Sequence, residues 1–529
     1  MPLIISQIKS PVDAGEKEII SAALKKISVK NENVTRCGIC KTSLDARKRG
    51  DIHLVSSVSV SLDPREEKRL AEKYSFCRLA SAETFKPIFG KEILRGRIAV
   101  IGFGPAGMFA ALTLAENGYR PLVLERGGNI DKRISAVERF RSEKIFSETS
   151  NIQFGEGGAG TFSDGKLTTR INDPLCGYVL EKFAESGAPA NILTEAKPHV
   201  GTDNLRVTVK NIREKIISLG GEIRFDTKVS DIDIRNGKIA GITANGEYIP
   251  CDAVIAAVGH SARDTFEMLL GKGMVIQPKP FSCGARIEHL QQDVDISLYG
   301  EHAGNPALPK GEYQLSHRRG GRCVYTFCMC PGGEVVPAQS EENTAVTNGM
   351  SFFARDGKNA NSALVVSVSP DDFGNKPLDG VEFARMIERR AFSAAGGTYA
   401  APALTVGAFM NGDISLNGAD VVPTYACGVE ACSFDGIFPN FITEMMREGI
   451  SVFSRKMKCF GDRGAVLTAP ETRTSSPVRI LRNDVLQAAC AERFFPCGEG
   501  AGYAGGIMSA AVDGIKCASE VMKIFSPYN

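Results

Sequence analysis

The chain has 529 residues, 43% hydrophobic and 23% charged, an ordinary globular balance with length enough for two or three domains. Its formal net charge of +2 gives no overall pull toward nucleic acid, an anionic membrane or a polyanionic substrate. The opening MPLIISQIKSP lacks the basic start and long apolar core of a secretory leader, and no apolar run reaches the roughly 18 residues of a membrane span. With 15 cysteines in no regular framework, a cytoplasmic protein with free thiols is expected.

Residues 1–95 read as strand (3–8), helix (14–26), strand (33–40), strand (51–61) and helix (64–76), a small α+β domain. It holds 18 Lys and Arg against 12 Asp and Glu, with Arg47, Lys48 and Arg49 clustered in a hairpin turn. No row of aromatics accompanies them, so a solvated turn is the plainer reading and nucleic-acid binding the alternative. Cys37 and Cys40 have C-x-x-C spacing without a second ligand pair, so no metal site is expected.

Residues 97–127, RIAVIGFGPAGMFAALTLAENGYRPLVLERG, then give a complete strand, glycine turn, helix and strand ending on an acid. Ile98 to Ile101 is the continuous apolar run of a parallel strand covered on both faces. Gly102 allows the tight turn, Gly104 leaves the backbone bare toward a pyrophosphate, and Gly107 lets the helix lie close on the strand. Pro105 and Ala106 open that helix, whose positive N-terminus suits phosphate. Glu125, followed by Arg126, sits at the offset where a carboxylate meets ribose hydroxyls.

The next segment, NIQFGEGGAGTFSDGKL (residues 151–167), is dense in glycine and reads as a backbone-lined loop along a cofactor, with Gly157, Gly158 and Gly165 in its turns and Ser163 and Lys166 as polar contacts. Gly160 to Lys166 imitates a P-loop, but Leu167 stands where Ser or Thr would hold magnesium. Asn236-Gly237 and Asn245-Gly246 mark hairpins of a meander that begins near Val229, a further cofactor contact, and leads into a buried strand ended by Gly259. His199 and His260 lie beside cofactor-domain glycines and are read as orienting loops.

Two sites in the following region carry candidate chemistry. Arg286 and Glu288 share a strand face, opposite His289, and are read either as an anion clamp with a proton-transfer group or as a structural ion pair. Cys328 and Cys330, a C-x-C on a strand, would put both sulfurs on one side, with Cys323 on the other; flavin-linked thiol chemistry is the minor reading and buried strand cysteines the plainer one. Arg473 is read as a bidentate carboxylate binder for substrate, as a cofactor contact, or as a tie between domains.

The end of the chain, FFPCGEGAGYAGGIMSAAVDGIKCASEVMKIF, repeats the G-x-G-x-x-G spacing at Gly500, Gly502 and Gly505, but no second strand follows to complete a separate nucleotide unit. Folded against the first turn, Gly498 and Glu499 would meet a ribityl chain. A helix opening near Gly505, Gly506 and Ile507 would aim its positive end at a flavin ring, which favours FAD.

These motifs, together with SLDAR (43–47), KPHVGTD (197–203), AVGHSARD (257–264), RIEH (286–289), FCMCPGG (327–333), NANSA (359–363) and ETRTSSPVRI (471–480), resemble the FAD-dependent, or NAD(FAD)-utilizing, dehydrogenases with a glutathione-reductase-like flavin fold. The resemblance spans nearly the whole chain. It implies an α/β protein: a Rossmann-like FAD-binding domain (96–280 and 461–529), an inserted α+β substrate domain (281–460) and the small N-terminal domain. It also implies noncovalent FAD held by Gly102, Gly104, Gly107, Glu125 and the C-terminal motif. The expected activity is hydride transfer between a small organic substrate and flavin, with NADH or NADPH as a possible co-substrate. Neither substrate nor oligomeric state is implied.

Overall fold

The computed structural model describes residues 1–80 and 85–528. The N-terminal sheet is antiparallel in the order Arg36–Asp45, His53–Ser61, Leu3–Ser10, Cys77–Leu79. Helices Glu16–Lys26 and Pro64–Lys73 add Ile19, Leu24 and Leu70 to a small core with Leu3, Ile5, Val58 and Val60. This unit docks on the rest of the chain twice. Thr42 N donates to Thr194 O (2.7 Å) and Ala196 N to Thr42 O (2.8 Å), while the Arg49 guanidinium donates to Ser297 O (2.6 Å).

The central sheet is parallel in the order Glu222–Arg224, Leu122–Leu124, Arg97–Ile101, the end of Glu247–Ala256, and Phe494–Pro496. The helix Pro105–Glu116 is buried from Ala106 through Ala115, because it lies between this sheet and the last helix, Ile507–Ile524. Only a helix without a solvent face tolerates so uniform an apolar sequence. Strands Val229–Arg235 and Lys238–Ala244 form the expected meander with the start of Glu247–Ala256. Asn236, Gly237, Asn245 and Gly246 all have positive φ, as turns of the I′ type require.

The chain leaves this body through Ile276–Pro278 and returns through Val478–Ile480, which pair with each other antiparallel. Between them lies a second sheet, in the order Ser316–Arg319, Arg322–Cys330, Asn359–Val368, Phe281–Leu290, Val466–Glu471, Ala401–Thr405, Val429–Ala431. Strand Val466–Glu471 pairs with Phe281–Leu290 and Ala401–Thr405, so a boundary at residue 460 would cut this sheet one strand short. Phe281–Leu290 is covered on both faces. Phe281, Cys283, Ala285 and Ile287 enter an apolar core with helix Asn440–Lys456, and the alternate residues Arg286 and Glu288 are buried in a polar layer on the other side.

Candidate functional site

The dinucleotide turn has the geometry its glycines imply. Gly102 has φ +95°, and a Cβ there would lie 2.4 Å from Ala257 O; a Cβ on Gly107 would lie 2.0 Å from Gly102 O. Only glycine permits this turn and this approach of helix to strand. Met108 N makes the helix's first bond, to Gly104 O, so the N–H groups of Ala106 and Gly107 precede the intrahelical ladder. Glu125 Oε2 accepts Phe103 N (2.8 Å), and Oε1 accepts Gly127 N (2.9 Å) and Gly155 N (3.0 Å). The acid therefore fastens the turn to the glycine loop, and Oε2 keeps a lone pair suited to a ribose hydroxyl.

The glycine loop closes over that turn. Gly157 N donates to Phe103 O (2.8 Å), and a Cβ on Gly158 would lie 2.9 Å from Gly104 Cα. Arg133 holds the loop from beneath: fully buried, it donates to the carbonyls of Asn151 (2.9 Å), Ile152 (2.8 Å) and Glu156 (2.6 Å). Burial lowers its pKa to about 9. Nothing in the DKRIS sequence around it announced this role, because its partners are main-chain atoms.

Several residues expected to touch cofactor have other partners. Ser163 Oγ donates to Gly160 O (2.6 Å) and accepts Gly165 N (3.0 Å), which folds the loop onto itself. Gly165 packs against helix Gly201–Ser218, where a Cβ would lie 2.9 Å from Leu205 Cδ1. Lys166 Nζ pairs with Glu312 (3.2 Å) of the inserted region, and Arg126 pairs with Asp264 (3.0 Å) and Thr265 (2.8 Å) while lying over the Phe154 ring. Val229 is buried opposite Ala244, in a segment stitched to Glu125 by Thr227 N (2.8 Å). These side chains are engaged with protein, and so are Gly157 and Gly165 through their N–H groups.

The C-terminal motif meets both earlier segments. A Cβ on Gly498 would lie 2.7 Å from Ala106 Cβ, one on Gly500 2.6 Å from Gly259 O, and one on Gly514 2.1 Å from Ala106 O. Gly498 N donates to Asp513 Oδ2 (2.7 Å), and Arg482 binds both Asp513 oxygens (2.9 and 2.7 Å). Asp513 lies near Cys497 and Cys517, but the Arg482 cation already fills the position a metal ion would take. Gly259, Gly505 and Gly506 face open space, with no atom within 4 Å of a Cβ, and Gly505–Gly506 stand before the last helix at Ile507. Bare backbone at Gly104, Gly259 and Gly505–Gly506, two helix N-termini and a carboxylate with a spare lone pair are a donor set that fits FAD.

The three residues expected to perform chemistry are saturated by protein. Arg286 directs all five N–H groups inward: to Glu471 (3.0 and 2.7 Å), Cys328 O (3.0 Å), Asn361 (2.9 Å) and Asn348 (3.2 Å). Glu288 accepts Thr424 Oγ (2.7 Å), Thr424 N (3.2 Å) and Asn359 Nδ2 (3.0 Å). Arg473 and Arg263 both grip Glu388, at 2.8–3.0 Å, and Thr472 Oγ adds a bond of 2.6 Å. The geometry makes these groups interior ties in place of the expected clamp and proton-transfer pair. His289 is buried against Tyr313 and Phe460, and burial lowers its pKa to about 4. His199 stacks on Phe353, and His260 lies 3.0 Å from Ser261 Oγ.

Glu499 differs from these. Desolvation raises its pKa to about 7; the Lys279 cation opposes that rise and the Cys328 thiol adds to it. It is thus an acid poised near neutrality, between the flavin-side motif and the inserted sheet.

Residues 280–474 match the model of the FAD-dependent protein, C-terminal domain-like family; residues 132–279 match the flavin containing amine oxidoreductase family; residues 1–61 match a domain of unknown function. An uncharacterized protein of Clostridium beijerinckii is 46% identical over 533 residues, covering 99% of each chain. The chain is also similar to glycine oxidase from Geobacillus kaustophilus (11% identity, 82% of this chain and 96% of that chain, TM-score 0.37). It is similar as well to L-proline dehydrogenase from P. horikoshii (13% identity, 82% and 94%, TM-score 0.35). The protein is an FAD-dependent oxidoreductase. It belongs to the same family as the Clostridium beijerinckii protein.

Proposed function

We propose that the protein transfers a hydride between a small organic substrate and FAD, on the side where Gly259, Glu499 and Gly505–Gly506 face the inserted sheet. The contact of four segments that are remote in sequence, at Gly104–Gly158, Gly259–Gly500 and Gly498–Ala106, carries the reading. Gly102, Gly104, Ala106, Gly107, Glu125, Gly158, Gly498 and the N-terminus of Ile507–Ile524 hold the cofactor, which supplies two-electron chemistry when bound. Glu499, with its pKa near 7, accepts or delivers a proton at neutral pH, and Lys279 supplies the neighbouring positive charge. In this division residues 96–280 and the C-terminal segment form the cofactor-binding body, and the inserted sheet forms the substrate side.

The basic N-terminal turn serves as an anchor in this reading. Arg47 pairs with Asp45 (2.9 Å) and Arg49 donates to Ser297 O (2.6 Å), which supports a solvated, anchoring turn. Anaerobic mixing of the FAD-loaded protein with NADH, NADPH and a panel of small metabolites, amines included, tests the function. Bleaching of the flavin by at least one compound is expected, and a flavin that no organic donor reduces would overturn the hydride-transfer reading.

A further inference from the structure

We propose that Cys328 and Cys330 are a redox-active pair that exchanges two electrons with the bound FAD. The inference rests on the placement of FAD given above and adds a second redox centre to it.

Strand Arg322–Cys330 pairs regularly with Asn359–Val368 as far as Phe327 opposite Ala363; the register then slips, and Cys330 falls opposite Asn361. The slip is a bulge, and Cys328 carries it with φ +45°, a left-handed conformation that a side-chain-bearing residue rarely adopts. The bulge turns the second thiol back onto the main chain of the first cysteine, with Cys330 Sγ 3.4 Å from Cys328 O. Arg286 donates to that same carbonyl at 3.0 Å, so a fully buried guanidinium fixes the bulge.

The surroundings are those of a reactive thiol. The neighbouring Cys330 side chain, with the Arg286 and Lys166 charges, lowers the Cys328 pKa, while that of its partner is pushed well up. Most other buried cysteines move the opposite way, as Cys251 does, raised to about 12 by burial alone at first order. The turn after the pair packs on the segment that holds the glycine loop: Gly332, two residues beyond Cys330, lies against the main chain of Arg355. Asp164 in turn binds Arg355 (2.9 Å), which seals the loop to the inserted sheet beside the cysteines.

In the oxidative direction two S–H bonds break and one S–S bond forms, and the electron pair with both protons passes to oxidised FAD. In reverse, the reduced flavin returns two electrons and two protons and opens the disulfide.

The test is an anaerobic dithionite titration of the full-length, FAD-loaded protein after air oxidation, alongside Cys328→Ser and Cys330→Ser, with differential alkylation and mass mapping of every cysteine. The wild type should consume one electron pair more per FAD than either variant, and the map should place the reducible disulfide at 328–330 and not at the other buried neighbours, Cys497 and Cys517. A wild type whose flavin bleaches fully with a single electron pair, and whose Cys328 and Cys330 alkylate freely in the air-oxidised sample, would overturn the proposal. Flavin that dithionite does not bleach would overturn the FAD placement itself.

Discussion

At the scale of single residues, the account turns on which polar groups the fold leaves unfinished. Arg286, Glu288 and Arg473 are complete, and Glu499 is not. Its folded pKa of about 7 lies above the ordinary 4.5, so the folded state binds its proton more tightly than the unfolded state does. The stability this group contributes is therefore present below pH 4.5 and lost as pH rises toward 7. In FAD-stripped protein, Glu499→Gln should flatten that part of the stability-versus-pH curve; unfolding midpoints across the range check it, and an unchanged slope contradicts the placement. Glu388 has the opposite sign. Two buried arginines lower its pKa, so its stabilisation holds above the ordinary 4.5 and fades as pH falls below it. Glu388→Ala, which strands Arg263 and Arg473 without a counter-charge, should cost about 3–5 kcal/mol in chemical denaturation.

At the scale of elements, the cofactor site is a junction of two helix N-termini and a loop, and packing can be separated from binding there. Gly514 and Gly505 make the comparison. A Cβ at Gly514 would meet a backbone oxygen of the other helix at 2.1 Å, while one at Gly505 meets nothing within 4 Å. Gly514→Ala should lose about 1–3 kcal/mol of stability as the helices are forced apart. Gly505→Ala should stay within about 0.5 kcal/mol of wild type and still retain FAD less well. Thermal unfolding read beside flavin content distinguishes the two. The glycine turn and the Asn-Gly hairpins were legible in the sequence because each is a constraint within a few residues of chain. The interior ionic layer was not. Arg286 finds Glu471 across 185 positions, and Arg473 finds Glu388 across 85, pairings that no local spacing encodes. The C-x-C was legible as a pair but its bulge was not: an inserted residue leaves no mark in composition, so the register slip between Phe327 and Cys330 could not be read from the spacing.

At the scale of the whole molecule, the parallel sheet supplies a rigid edge and the inserted sheet is hung on it by the ribbon of Ile276–Pro278 and Val478–Ile480. The Arg263–Glu388–Arg473 network and the Asp164–Arg355 pair lock the two sheets together beside the cofactor segments. The N-terminal unit has a small apolar core of its own, built by its strands and two helices, and is fastened to the rest at Thr42 and Arg49. Of the described residues, no helix is long and apolar enough to cross a membrane. The central claim is that segments around residues 102–107, 155–160 and 498–507 close on one flavin nucleotide, and calorimetric titration of FAD into the stripped chain tests it most directly. The account predicts one FAD per chain for wild type and weakened uptake for Gly505→Ala. A wild-type chain that folds and takes up no FAD, or a Gly505→Ala chain that binds it as tightly as wild type, would contradict it.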